Sequence, residues 1–198
     1  SNSDSAPFSP MKTIPSILIF FATVGLVCAA ESAQSLPGAD EAYQRLRAAR
    51  STQVLRMADV QETSRLQMKQ HDESSRLAEK FYAQFPIDPR KWEVLGIAVN
   101  SPRQFSGPAA AAEEVAWEKR RNEWRRMLLS DAGVPANIWT TVAEWTIGDM
   151  AGSRGRPVRD LAWAGEVVAQ MAVRVPASDR RKFAEQAYFD ALQKADLA

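Results

Sequence analysis

From Ala39 to Phe85 the chain runs 47 residues without a glycine or a proline. The run is rich in Ala, Leu, Arg, Gln and Glu, all good helix formers. Pro37-Gly38 stands at its entry and Pro86 at its exit, so the stretch reads as one long helix or as two with a soft break. A single helix of that length would reach about 70 Å at ~1.5 Å per residue. That is too long to bury on a small core. Between Gln61 and Arg76 only Leu66 and Met68 are large and apolar, which predicts a segment that protrudes, pairs with a partner or frays. A sustained heptad seam is missing, so a long coiled coil is not expected.

Beyond this run the pattern stays helical. Leu77, Phe81 and Phe85 recur at helical spacing on one face. In Pro86-Ile87-Asp88-Pro89, Asp88 suits a helix cap and Pro89 a first helical position. The cap favours a short helix carrying Trp92, Leu95 and Val99 over a strand at Val94–Val99. Ala109 to Ala132 predicts the next helix, closed by Gly133, and Pro135 starts one that carries Ile138, Trp139, Val142 and Trp145. Gly148 to Arg156 reads as a flexible Gly-rich connection. Pro157 opens a helix in which only Glu166 and Gln170 are polar between Leu161 and Val173, the pattern of a central, buried helix. Ser178 caps a last helix with Phe183, Ala187 and Leu192 on one side. The expected fold is all-α: a long N-terminal helix, then a small helical bundle holding all six Trp, between Trp92 and Trp163.

The first thirty residues read as an address. Met11-Lys12 precedes an apolar stretch, Ile14 to Val27, and then Cys28-Ala29-Ala30. A basic start, an apolar middle and a small-residue cleavage site are the parts of a secretory signal peptide. The expected organisation is therefore an upstream or non-native extension at 1–10 and a signal peptide at 11–30. A long charged helix at 31–86 and a helical bundle at 87–198 follow. Cleavage after Ala30 removes the single cysteine and predicts a thiol-free protein in an oxidising compartment, periplasmic or secreted. An uncleaved Ile14–Ala30 would instead serve as a membrane anchor, at the short limit of a span.

Charge and residue counts narrow the chemistry. With 25 Lys+Arg against 24 Asp+Glu the net charge is +1, which does not suit nucleic acid. One cysteine makes no internal disulfide, CxxC pair or cysteine zinc cage, and one histidine, His71, leaves little for metal sites or triads. His71, Asp72 and Glu73 are adjacent on a helix and point apart. The basic cluster Lys119-Arg120-Arg121 with Arg125-Arg126 is mixed with Glu113, Glu114, Glu118 and Glu123 and spreads around the helix. It reads as a solvated face in which Glu118–Arg121 and Glu123–Arg126 pair, with Glu113 and Arg120 as a partly buried ion pair against the Trp side. Gly152-Ser153-Arg154-Gly155-Arg156 lacks the ending and the preceding strand of a phosphate loop. No catalytic, cofactor-binding or metal residue is assigned, and no cofactor is expected.

Two resemblances add to this. Pro86 to Trp92, followed by Leu95-Gly96, is similar to the junction of tetratricopeptide repeats, but no 34-residue copy recurs, so at most one degenerate unit is present. The segment from Ala78 to Leu95 resembles F-Y-x-x-F/Y-P-x-D-P-R-x-W in the helical N-terminal region of secreted bacterial thioredoxin-like proteins of the TlpA type. It carries Phe81, Tyr82, Phe85, Pro86, Asp88, Pro89, Arg90 and Trp92. In that family a thioredoxin-like domain with a CxxC pair follows; this sequence holds no CxxC, so no redox residue carries over. The resemblance implies the non-catalytic helical region, standing alone or truncated. The expected function is an exported, non-enzymatic interaction or spacer module with a protein partner, associated with a thioredoxin-like thiol–disulfide protein. The alternatives are a membrane-anchored helical adaptor and a hydrolase with converging carboxylates in the bundle.

Overall fold

A computed structural model describes residues 36–51, 60–153 and 156–196, all within the compact unit Ala33–Ala198. The expected signal segment and the extension before it lie outside the described residues. The fold is all-α. Among the described residues seven helices run in order: α1 (Ala39–Ser51), α2 (Val60–Gln84), α3 (Lys91–Asn100), α4 (Ala110–Ser130), α5 (Ala136–Met150), α6 (Leu161–Arg174) and α7 (Asp179–Asp196). No strand occurs among the described residues.

The Gly- and Pro-free run is two helices lying side by side. Gln70 Nε2 donates to the carbonyls of Ala49 and Arg50 at the end of α1, both at 2.9 Å. At the other end Ala39 and Leu46 pack with Ala78 and Phe81. The helices are therefore antiparallel, and the described residues do not form a rod of about 70 Å. The join falls at 52–59, outside the described residues. The polar middle of α2 docks instead of protruding. Its buried positions, Ser74 and Ser75, are small, and Ser75 Oγ donates to Ala98 O at 3.2 Å. Small hydroxyl side chains let two helix backbones approach while each finds a carbonyl.

The central helix is α3, not α6. All six residues from Val94 to Val99 are buried, because α3 serves two cores at once. Leu95 and Val99 join a core built with α4, α5, α6 and α7. Val94, Ile97 and Ala98 join a second core built with α1, α2 and Trp117. A helix whose six consecutive residues Val94–Val99 are all apolar and buried fits between two such layers. Trp124 packs against both cores, with Trp117 and Tyr82 each edge-on at 5.8 Å.

The expectation that α6 is buried on most sides fails for a countable reason. Trp163, Ala164, Val167 and Met171 face the core, whereas Val173 is 87% exposed. Its remaining apolar residues are mostly alanines that need no shelter. α6 also begins four residues later than Pro157 suggests: Asp160 is its cap and accepts from the Trp163 N–H at 2.9 Å. The face of α7 is likewise rotated. Ala184, Tyr188 and Ala191 meet the core, while Phe183 is 68% exposed. Ser178 does cap α7, accepting from the Arg181 N–H at 3.3 Å.

Candidate functional site

The segment from Phe81 to Trp92 is consumed in packing. Phe81 is buried in the second core, tilted against Phe85 at 5.1 Å and edge-on to Tyr43 at 6.2 Å. Asp88 is buried at the α2–α3 turn. Its Oδ1 accepts from the Arg90 backbone N–H at 2.9 Å and from Arg90 Nε at 2.8 Å, and Oδ2 accepts from Arg90 Nη2 at 2.9 Å. Arg90 Nη1 reaches Asp40 on α1 at 2.8 Å, and the guanidinium lies over the Tyr43 ring at 4.7 Å. Hydrogen bonds from Arg90 hold the Asp88 carboxyl below its ordinary value against its burial. The segment is thus a latch tying α1, α2 and α3 together. Asp88 folds the turn rather than capping α3, whose cap position is Arg90.

A second charged cluster lies between α4 and α5. Asp149, near the end of α5, accepts from Arg121 Nη2 at 2.9 Å, Arg125 Nη2 at 2.7 Å and Arg156 Nη1 at 2.6 Å. Glu118 pairs with both Arg121 and Arg159 at 3.1 Å. Arg125 is 1% exposed. Burial and the nearby Arg121 push its pKa down to about 10, with Asp149 opposing. Burial pushes the Asp149 carboxyl up, but Arg125, Arg121 and Arg156 outweigh it and hold it below its ordinary value.

Three clefts open around α5. A polar one of about 480 Å³ is lined by Gln70, His71, Glu93, Asn100, Asn137 and Thr141 among others, with Trp145 at its edge. On the other side of Trp145 lies a more apolar cleft of about 410 Å³ between α5 and α7. Its walls are Trp145, Gly148, Phe183, Ala184 and Ala187, with Asp149, Arg156 and the Arg180–Glu144 pair at the margins. A third cleft of about 330 Å³ shares Ser153, Arg156, Phe183 and Ala187 with the second and continues past Val158 to Lys194. The second and third form one groove along α7 from Asp179 to Lys194.

Several sequence expectations change here. The cluster at 119–126 is not uniformly solvated: Arg125 and Arg121 are drawn inward onto Asp149, and Arg126 lies over the Trp163 ring at 4.1 Å. Glu113 and Arg120 do not form the expected pair. Glu113 is exposed, and Arg120 joins Glu79, which also binds Arg103. Arg103 in turn covers the Trp117 ring at 3.7 Å. Asp149 went unnoticed because it falls in a stretch that reads as a Gly-rich connection, whereas Gly148, Asp149 and Met150 are the last turn of α5. The only local signal was an arginine seven residues on. His71 is exposed. Among the described residues no group of three His, Cys, Asp or Glu is placed to hold a metal ion, and no helix is long and apolar enough to cross a membrane. Comparisons with protein-family models, curated proteins and solved structures found no match to this chain.

Proposed function

We propose that this chain is an exported, non-enzymatic helical interaction module. The observation that carries the binding part is the groove along α7, where Phe183 is 68% and Trp145 39% exposed beside a cleft with apolar walls. Large aromatic side chains left in water cost burial free energy that a partner recovers, and aromatics are the residues that dominate interface energetics. Export rests on the sequence at 11–30, and the cell envelope is its expected location. Association with a thioredoxin-like thiol–disulfide protein rests on the segment from Ala78 to Leu95. In this reading the paired helices α1 and α2 join the body through at most one tetratricopeptide-like junction. The Trp-rich bundle of 87–198 carries the docking surface.

The hydrolase alternative has less support. Glu144 and Asp149 share a cleft, but each carboxylate is held by arginine. The arginines hold the Asp149 carboxyl below its ordinary value, which leaves it unsuited to donating a proton.

Site-specific photocrosslinking in the producing cell tests the reading. A crosslinker at position 183 is expected to give a discrete adduct in the envelope fraction, and one at Lys119 is not. Equal adducts from both positions, or none, refute the docking surface. N-terminal sequencing of the exported protein is expected to begin at Glu31; a start at Met11 refutes cleavage.

A further inference from the structure

We infer that the groove along α7 takes an amphipathic peptide segment from a protein partner, and that a carboxylate on that segment lands on Arg156. The inference rests on the reading of the groove as a docking surface and adds the chemistry of what docks.

The argument starts from charge. Arg121, Arg125, Arg156 and Arg159 share two carboxylates, Asp149 and Glu118. The cluster therefore carries two more positive than negative charges. Arg125 and Arg121 are turned inward and out of a ligand's reach, with side chains 1% and 11% exposed. Arg156 is different. Its side chain is 56% exposed, and it lines both clefts of the groove. Among the described residues its guanidinium donates through Nη1, at 2.6 Å to Asp149. Nε and Nη2 remain to donate outward, and guanidinium binds a carboxylate best through two N–H groups.

The groove's other carboxylates already have donors or a nearby cation, and its remaining cation, Lys194, stands at the far end. Glu144 is held by Arg180, Asp179 lies 3.8 Å from Lys182, and Asp190 accepts from Gln186 at 2.6 Å. Arg156 is thus where the cluster's positive excess enters the groove, and complementary charge there sets partner choice more than raw affinity.

Size and surface give the rest. The groove follows α7 for sixteen residues, from Asp179 to Lys194, about 24 Å at ~1.5 Å per residue. That length holds a helix of about four turns, whose apolar stripe suits a groove walled by Trp145, Phe183, Ala184 and Ala187. Phe183 and Ala187 border both clefts, so one stripe of apolar side chains spans them. The acidic residue sits beside that stripe, facing Arg156.

The test uses the full chain and a displayed library of random twelve-residue peptides. Selected peptides are expected to share two or three apolar residues at helical spacing with Asp or Glu at a fixed offset. In fluorescence polarisation, changing that acid to its amide is expected to weaken binding to the wild-type chain about tenfold. The same change is expected to have no effect with R156Q. R180Q serves as the control in the same groove and should keep the tenfold difference. F183S should weaken acid and amide peptides alike. Peptides that bind without an acid, or that bind R156Q as tightly as wild type, overturn the carboxylate assignment and leave the docking surface standing. A library that yields nothing dependent on Phe183 overturns both.

Discussion

Replacing Asp149 should cost far more than replacing the arginine buried against it. In D149N, Arg125 stays 1% exposed and loses the carboxylate that accepts from it at 2.7 Å. Burial and the neighbouring Arg121 already lower Arg125 from the ordinary guanidinium range to about 10. At ~1.36 kcal/mol per unit that drop corresponds to roughly 3 kcal/mol set against the fold while the guanidinium is charged. The penalty is fully present below pH 10 and fades as pH rises toward the unfolded value, because there the unfolded chain holds the proton more tightly. Stranding a buried charge by removing its partner costs about 3–5 kcal/mol. For a domain of this size that lowers Tm by about 6–20 °C. R125M is the opposite case. It fills similar volume, abolishes the penalty and leaves Asp149 paired with Arg121 and Arg156, so its stability should stay within about 1.5 kcal/mol of wild type. Urea unfolding of wild type, both single variants and the double variant measures this as a cycle. In the R125M background the D149N loss should shrink by about 2 kcal/mol or more. Equal D149N losses in both backgrounds would refute the claim that a stranded Arg125 is the cause.

Three further outcomes follow from the same geometry. Gly152 and Gly107 both have left-handed backbone, at φ +71° and +89°, but only at Gly152 does an added Cβ meet backbone, 2.6 Å from Arg156 O. G152A should therefore lose at least about 2 kcal/mol in chemical denaturation and G107A about 1 kcal/mol; equal losses would remove the steric argument. R90K should cost about 1.5–3 kcal/mol, since a lysine cannot grip both Asp88 oxygens, reach Asp40 and lie over Tyr43 together. A lysine variant that melts with wild type would sink the latch. Asp88 and Asp149 both titrate below their ordinary value, so their stabilisation is present above the unfolded value near 4 and is lost as pH falls through the lower folded values. Thermal melts should stay level down to about pH 4 and fall steeply below it. A decline centred near pH 6 would contradict this.

Most of the secondary structure was legible in the residues because local chemistry decides it. The Gly- and Pro-free run, the prolines at 86, 89, 135 and 176 and the serine at 178 place helices and their ends within a few residues. What local pattern could not carry is partnership. Leu161–Val173 looked like the buried helix because most of its residues are apolar, yet an alanine counts as apolar and gains little by burial. The short run Val94–Val99 took the central place because it offers Leu95 and Val99 to one core and Val94 and Ile97 to the other. Spacing puts Phe183 on one side of α7 with Ala187 and Leu192, whereas the smaller Ala184 and Ala191 are the residues that let α7 approach the core.

The sequence by itself determined that this chain is helical, where most of its helices end, and that it carries neither a CxxC pair nor a histidine cluster. Propensity, capping and composition act over a few residues, so one chain read in order contains them. Only the tertiary structure decided that α1 turns back on α2 and that Asp149 gathers arginines from 28, 24 and 7 positions away. It also decided which of those arginines reaches water beside an apolar groove. Each of these depends on pairs far apart in the chain, and their energies come from desolvation and contact, which exist only once the helices have met.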